Sequence, residues 1–101
     1  MDAAASVSIR IGNDGTYVCL VGDWDLSVAP QLRETLDSVN ARLHVIFDLS
    51  ETTYLDSSTL RVLAEFKRRS VGLSGSTAVY YGTNERARRL MSVSGAGAFL
   101  K

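Results

Sequence analysis

The chain has 101 residues, 46% of them apolar and 22% charged, with eleven Lys and Arg offset by eleven Asp and Glu. One compact domain of this size can bury a single core without disulfides or metals, and so ordinary a composition excludes a disordered or fibrous chain. A formal net charge of +0 leaves no overall field to hold nucleic acid or anionic lipid, so neither is expected as a partner.

The one cysteine, Cys19, has no partner for an internal disulfide, and no Cys and His cluster has metal-ligand spacing. Neither a metal nor a cofactor is expected. The Ala run after Met1 lacks the basic and long apolar regions of a signal peptide, and nowhere do about eighteen apolar residues stand together. The expectation is a soluble, cytoplasmic protein without membrane insertion, a single domain over 1–101 with residues 1–6 flexible.

In chain order, Val7 to Ile11 alternates apolar and polar residues and runs into Gly12-Asn13-Asp14-Gly15, which predicts a strand and a hairpin turn. Tyr17 to Val21 is its partner, ending at Gly22, with Val18, Leu20 and Cys19 in or near the core. Gly22-Asp23-Trp24-Asp25-Leu26 reads as a loop, after which Ser27 can cap a helix whose first turn tolerates Pro30. Ala29, Leu32, Leu36 and Val39 form its apolar stripe, with Gln31, Arg33, Glu34 and Asp37 on the other side.

His44 to Leu49 is a nearly unbroken β-branched and aromatic run, as in a central strand covered on both faces. Ser50 to Leu55 links it to a second helix, which starts at the serine pair, shows Leu60, Leu63, Ala64 and Lys67 along one face, and extends to about Ser70. Gly72 and Gly75 end it. Thr77 to Tyr81 is a last strand, Gly82 and Thr83 a turn, and about Asn84 to Val93 a third helix. The Gly95–Lys101 tail is too short for another full helix. The order β-β-α-β-α-β-α predicts an α/β fold, a mixed sheet with helices packed against it.

Asp56-Ser57-Ser58 lies where strand gives way to helix. Capping explains it, since Asp and Ser favour such positions. A second reading is regulatory: a hydroxyl there is open to a kinase, and a phosphate adds about −1.5 to −2 charge near uncapped N–H groups without unfolding the helix. Asp48, Glu51 and Asp56, joined by Asp23 and Asp25 from the other loop, predict an acidic surroundings in which the added charge repels a partner. Trp24 has two readings, an anchor for a partner or a cover over the core.

Cys19 reads as a small core residue rather than a reactive thiol. His44 with Ser57 and an aspartate permits a hydrolase on paper, but no Gly-x-Ser-x-Gly elbow is present. Lys67-Arg68-Arg69 and Arg86-Arg88-Arg89 lie toward helix ends, where cations suit the dipole or a solvated face.

Asp48-Leu49-Ser50 followed by Tyr54-Leu55-Asp56-Ser57-Ser58 and Leu60 is similar to the signature of STAS domains, especially bacterial anti-sigma factor antagonists. Gly22-Asp23-Trp24-Asp25 with Ala29-Pro30-Gln31-Leu32 resembles the family's Gly-Glu-Leu-Asp loop and first helix. Arg88-Arg89-Leu90 and Ser94-Gly95 resemble its third-helix region, so the likeness runs over roughly residues 7 to 100. It implies a non-enzymatic regulator of transcription and signal transduction that binds an anti-sigma factor which is also a serine kinase. Phosphorylation then releases that partner.

The resemblance places the phospho-acceptor on Ser57, with Ser58 next to it, and the partner surface on Asp23, Trp24, Asp25, Asp56, Ser57, Ser58 and Thr59. Thr59 stands where many relatives have glycine, and a β-branched residue there is expected to crowd the helix start and restrict a kinase. Relatives commonly continue past the position of Lys101 through a last strand and helix, so part of that cover is expected to be missing. An alternative implied by the same resemblance is a constitutive STAS subunit of a lipid-transport ABC complex or of a stress-signalling scaffold.

Overall fold

The computed structural model describes residues 4–94, so the expectations for residues 1–3 and for the Gly95–Lys101 tail lie outside the described residues. Alternation sets the first hairpin. β1 (Ser6–Gly12) and β2 (Gly15–Trp24) pair antiparallel, from Ser6 opposite Val21 to Gly12 opposite Gly15. In the turn, Asp14 accepts a 2.7 Å hydrogen bond from the Tyr17 hydroxyl. That bond holds the Asp14 carboxyl below its ordinary pKa and pushes the Tyr17 phenol up.

β2 does not end at Gly22, as expected, but runs on to Trp24. Gly22 takes φ +87°, a left-handed conformation that side chains resist, and the register shifts there. Ahead of this bulge, Thr16 to Cys19 pair in parallel with β3 (His44–Asp48); beyond it, Gly22 to Trp24 pair in parallel with β4 (Thr52–Leu55). One long strand thus serves two neighbours.

β4 corrects the reading of Ser50–Leu55 as a plain link. Its Thr-Thr-Tyr run suits a strand, the Thr52 hydroxyl donates to the Leu20 carbonyl at 2.6 Å, and the Gly22 N–H donates to the Glu51 carbonyl at 3.0 Å. The order is therefore β-β-α-β-β-α-β-α.

α1 (Ala29–Asp37) buries Ala29, Leu32 and Leu36, and Val39 follows them into the core. α2 (Ser57–Gly72) buries Leu60, Val62, Leu63 and Phe66. Phe66, which the expected stripe left out, meets Phe47 edge-on, ring centroids 5.7 Å apart. β5 (Ser76–Tyr80) pairs in parallel with β3, giving the order β1-β2-β3-β5 with β4 beside the end of β2. α3 (Glu85–Ser94) adds Ala87 and Met91 to the same cluster as Val18, Leu20, Trp24, Val45 and Phe47. Each large side chain sealed in this core contributes about 1.5–3 kcal/mol.

Candidate functional site

β2 and β4 run side by side and end together, with Trp24 opposite Leu55. The chain beyond each end is consequently brought together: Asp25 on one side, Asp56-Ser57-Ser58 on the other. The Trp24 carbonyl ties them, accepting from the Asp56 N–H at 3.0 Å and from the Thr59 hydroxyl at 3.2 Å.

Asp56 is extended (φ −97°, ψ 176°), as a residue entering a helix should be, and caps α2 as expected. Its Oδ1 accepts from the Ser58 and Thr59 N–H groups, both at 3.1 Å, and from the Ser58 hydroxyl at 2.6 Å. Burial by itself would push this carboxyl up, but those donors outweigh it and leave it below the ordinary aspartate pKa.

Ser58 is half-buried and committed to Asp56, whereas Ser57 is exposed. One expectation changes here. The early N–H groups are not all uncapped, because Asp56 already takes those of Ser58 and Thr59. A phosphate on Ser57 would stand beside a carboxylate rather than on free donors.

Trp24 and Thr59, both expected at a partner surface, are each 0% exposed. Trp24 shares the helix-covered face of β2 with Leu20, and its indole N–H donates to the Val21 carbonyl at 3.2 Å, so the ring is satisfied inside. The cover reading holds and the anchor reading does not. Thr59 turns inward to the Trp24 carbonyl, so it braces the helix start from below and does not crowd the approach to Ser57.

Asp25 is exposed, with Oδ1 accepting from the Ser27 N–H at 2.9 Å and the Ser27 hydroxyl at 2.6 Å. This turn uses up Ser27, which therefore is not the cap of α1; Val28 holds that position without a side-chain bond. Asp23 is half-buried and accepts from the Thr53 hydroxyl. The acidic surroundings are smaller than expected. Asp48 and Glu51 precede β4 and Asp56 follows it, so a strand holds them apart, and Asp48 instead accepts from the Ser50 N–H and hydroxyl at 2.9 and 2.6 Å.

Asn84 matters in a way the sequence reading missed. Its amide donates to the Leu49 and Thr52 carbonyls at 2.8 and 2.7 Å, and its carbonyl oxygen accepts from the Ala87 N–H at 3.1 Å. One side chain thus caps α3 and pins the turn that feeds β4. An Asn ahead of a helix signals the cap; nothing local signals the other two bonds.

His44 begins β3, where its Nδ1 lies 2.6 Å from the Ser76 hydroxyl, at the opposite end of the sheet from Ser57. His44 is therefore paired with Ser76 and not with Ser57. Cys19 faces away from the helices, its thiol 3.9 Å from Asp48 Oδ2, and burial together with that carboxylate pushes the thiol up. Such a thiol is a poor nucleophile. Arg69 and Arg88 lie over the rings of Phe66 and Tyr81. Among the described residues no His, Cys, Asp and Glu group could hold a metal ion, and no helix is long and apolar enough to cross a membrane.

A sequence profile of the family described as "Mlab, STAS domain" matches residues 7–101. Among solved structures, the chain is similar to the anti-sigma factor antagonist SpoIIAA in its unphosphorylated form, at 17% identity over 97% of this chain and 86% of that one, TM-score 0.70. It is similar to the Bacillus cell fate determinant SpoIIAA in the phosphorylated form, at 17% identity over 97% and 89%, TM-score 0.66. It is also similar to an anti-sigma factor antagonist from Mycobacterium paratuberculosis, at 19% identity over 91% and 81%, TM-score 0.67. At these identities the likeness is one of fold. No curated protein matches the chain.

Proposed function

This chain belongs to the STAS-domain family, and we propose that it is a cytoplasmic anti-sigma factor antagonist that binds an anti-sigma factor with serine-kinase activity and lets go when Ser57 is phosphorylated. The reading is carried by one observation: Ser57 is exposed in the first turn of a firmly capped helix, beside the exposed Asp25. Two solved states of SpoIIAA, unphosphorylated and phosphorylated, support it, because a protein of this fold accepts a phosphate. The chain is then the substrate of phosphoryl transfer and not its catalyst.

The physics of release follows from the cap. With the Ser58 and Thr59 N–H groups held by Asp56, a phosphate on Ser57 has the exposed Arg61, one helical turn on, as its neighbouring cation, and the rest of its charge projects toward whatever docks on Asp25, Asp56 and Ser57. Like charge set against an interface chosen for the unmodified surface weakens binding. Ser58 is the poorer acceptor, since its hydroxyl already donates to Asp56.

A second reading, a constitutive STAS subunit of a lipid-transport ABC complex or a stress-signalling scaffold, keeps the same surface in lasting contact. The description of the matching profile, "Mlab, STAS domain", names neither an anti-sigma factor nor a kinase. Incubation with ATP and the candidate kinase, followed by intact-mass measurement, separates the two. The switch predicts one added phosphate that Ser57→Ala does not take up, and a Ser57→Asp variant that stays folded but binds the partner at least about tenfold more weakly. An unmodified chain that binds a partner equally well with Ser57→Asp supports the subunit.

A further inference from the structure

Among the described residues β1 has a strand on one side only, β2, and that outer edge carries none of the usual devices keeping edges single. It runs from Ser6 to Gly12 without a proline and in unbroken register with β2. Its one charged side chain, Arg10, lies with the guanidinium 4.1 Å from the Tyr17 ring centroid, drawn over the neighbouring strand. Ile9 and Ile11 are 41% and 76% exposed.

The backbone directions of this edge follow from β2. The Leu20 carbonyl takes the Thr52 hydroxyl, the Gly22 N–H gives to Glu51, and the Trp24 carbonyl takes the Asp56 N–H, so the even-numbered residues of β2 bond away from β1. Tyr17, Cys19 and Val21 therefore bond toward β1, to Arg10, Ser8 and Ser6 opposite them. That alternation turns the N–H and C=O groups of Val7, Ile9 and Ile11 to the free side. Their side chains share the helix-side face with Val18 and Leu20, opposite Ile9 and Val7 in register.

We infer that this edge pairs antiparallel with β1 of a second copy, about a two-fold axis through Ile9. In that register Ile9 meets its own copy and Val7 meets the partner's Ile11 on each side, a row of apolar pairs made entirely from outward-turned residues. Arg10 falls opposite Ser8, so no like charges meet. An axis through Arg10 would instead set two guanidinium groups against each other, and one through Ile11 would leave Val7 without a partner strand. The contact is isologous and consumes the β1 edge of both copies, which stops assembly at two.

This pairing does not rest on the Ser57 reading. Ile11 lies at the Thr16 end of β2, while Ser57 lies beyond the Trp24 end.

Sedimentation equilibrium of the full chain over a dilution series tests it: the mass should rise with concentration to twice the 11.0 kDa of one chain. Ile9→Pro removes an outward donor without touching a bond to β2, and Ile9→Lys sets two cations on the axis. Each should weaken the dimer at least about tenfold with an unchanged circular dichroism spectrum. Ser8→Glu, facing Arg10 of the other copy, should tighten it, and Ser8→Lys should loosen it.

In a Cys19→Ser background, Ile9→Cys should oxidise to a linked dimer, since opposed Cα atoms sit about 5.5 Å apart, and Ile11→Cys should not. A chain that stays monomeric at every concentration overturns the proposal and leaves the edge to a strand from another protein. So does a dimer that tolerates both Ile9 substitutions, or one that cross-links through Ile11.

Discussion

Two helix starts stand side by side at the Trp24 end of the sheet, and they are held in opposite ways. α2 begins under Asp56, whose carboxylate takes two backbone donors and a hydroxyl, with Thr59 bonded down to Trp24. α1 begins at Val28 with no side-chain cap, while Asp25 spends its carboxylate on its own neighbour Ser27 and the adjacent Leu26 is 72% exposed. The first start is bound to the core; the second is bound mainly to itself. On the proposed reading, kinase and partner would meet a fixed acceptor, Ser57, beside a more adjustable contact, Asp25.

The comparison rests first on Trp24, the buried side chain lying at the junction of both loops. Trp24→Ala should cost about 3–5 kcal/mol of stability in urea unfolding. A small loss would mean the indole is not what positions the two starts, and the contrast between them would lose its structural basis.

Asp56→Ala comes next, at about 1 kcal/mol and no more than about 2, the usual cost of losing a cap. Its pH dependence adds a signature. A carboxyl held below its ordinary value in the folded chain binds a proton less readily there than in the unfolded one, so the cap contributes fully above the ordinary aspartate pKa and is lost as pH falls through the lower folded value. Asp56→Asn, which still caps, should keep most of the neutral-pH stability and flatten that part of the acid unfolding curve. The part due to Asp14, also held low, should remain.

How much of this was legible follows the range of each interaction. The Asp56 cap spans three residues and obeys a local rule, so it could be read from Asp-Ser-Ser alone. The α1 stripe and the central β3 were legible for the same reason, being periodic over a single element. β4 was not, because it is a strand only where β2 continues past Gly22 to meet it, and that depends on a bulge in a distant segment. The differences over Trp24 and over the reach of the acidic cluster follow from that one pairing: the extension of β2 carries Trp24 into the core, and β4 sets Asp48 and Glu51 apart from Asp56. The Asn84 bonds to Leu49 and Thr52 span more than thirty residues and leave no local trace.

Thr59→Val sharpens the first half of the comparison. It keeps the shape and helix geometry and removes one buried hydrogen bond, leaving the Trp24 carbonyl with the Asp56 N–H alone. A loss of about 0.5–1.5 kcal/mol in thermal unfolding is expected. A loss near zero would show that the brace beneath α2 is dispensable and that the cap alone fixes Ser57.

Asp25→Ala is the smallest expected change in stability and the most telling about function. The residue is exposed and its side-chain bonds reach only Ser27, while its backbone bond from the Val28 N–H survives the substitution, so unfolding should shift by no more than about 0.5 kcal/mol. If Asp25 is a contact, partner binding measured by calorimetry should nevertheless fall several-fold, and the phosphate uptake at Ser57 by the same kinase should fall with it, because docking precedes transfer. An effect on stability comparable to that of Asp56→Ala would erase the difference between the two helix starts. An unchanged affinity in a fully folded variant would confine the docking surface to the α2 side, where Asp56 and Ser57 would have to carry it without the neighbouring loop.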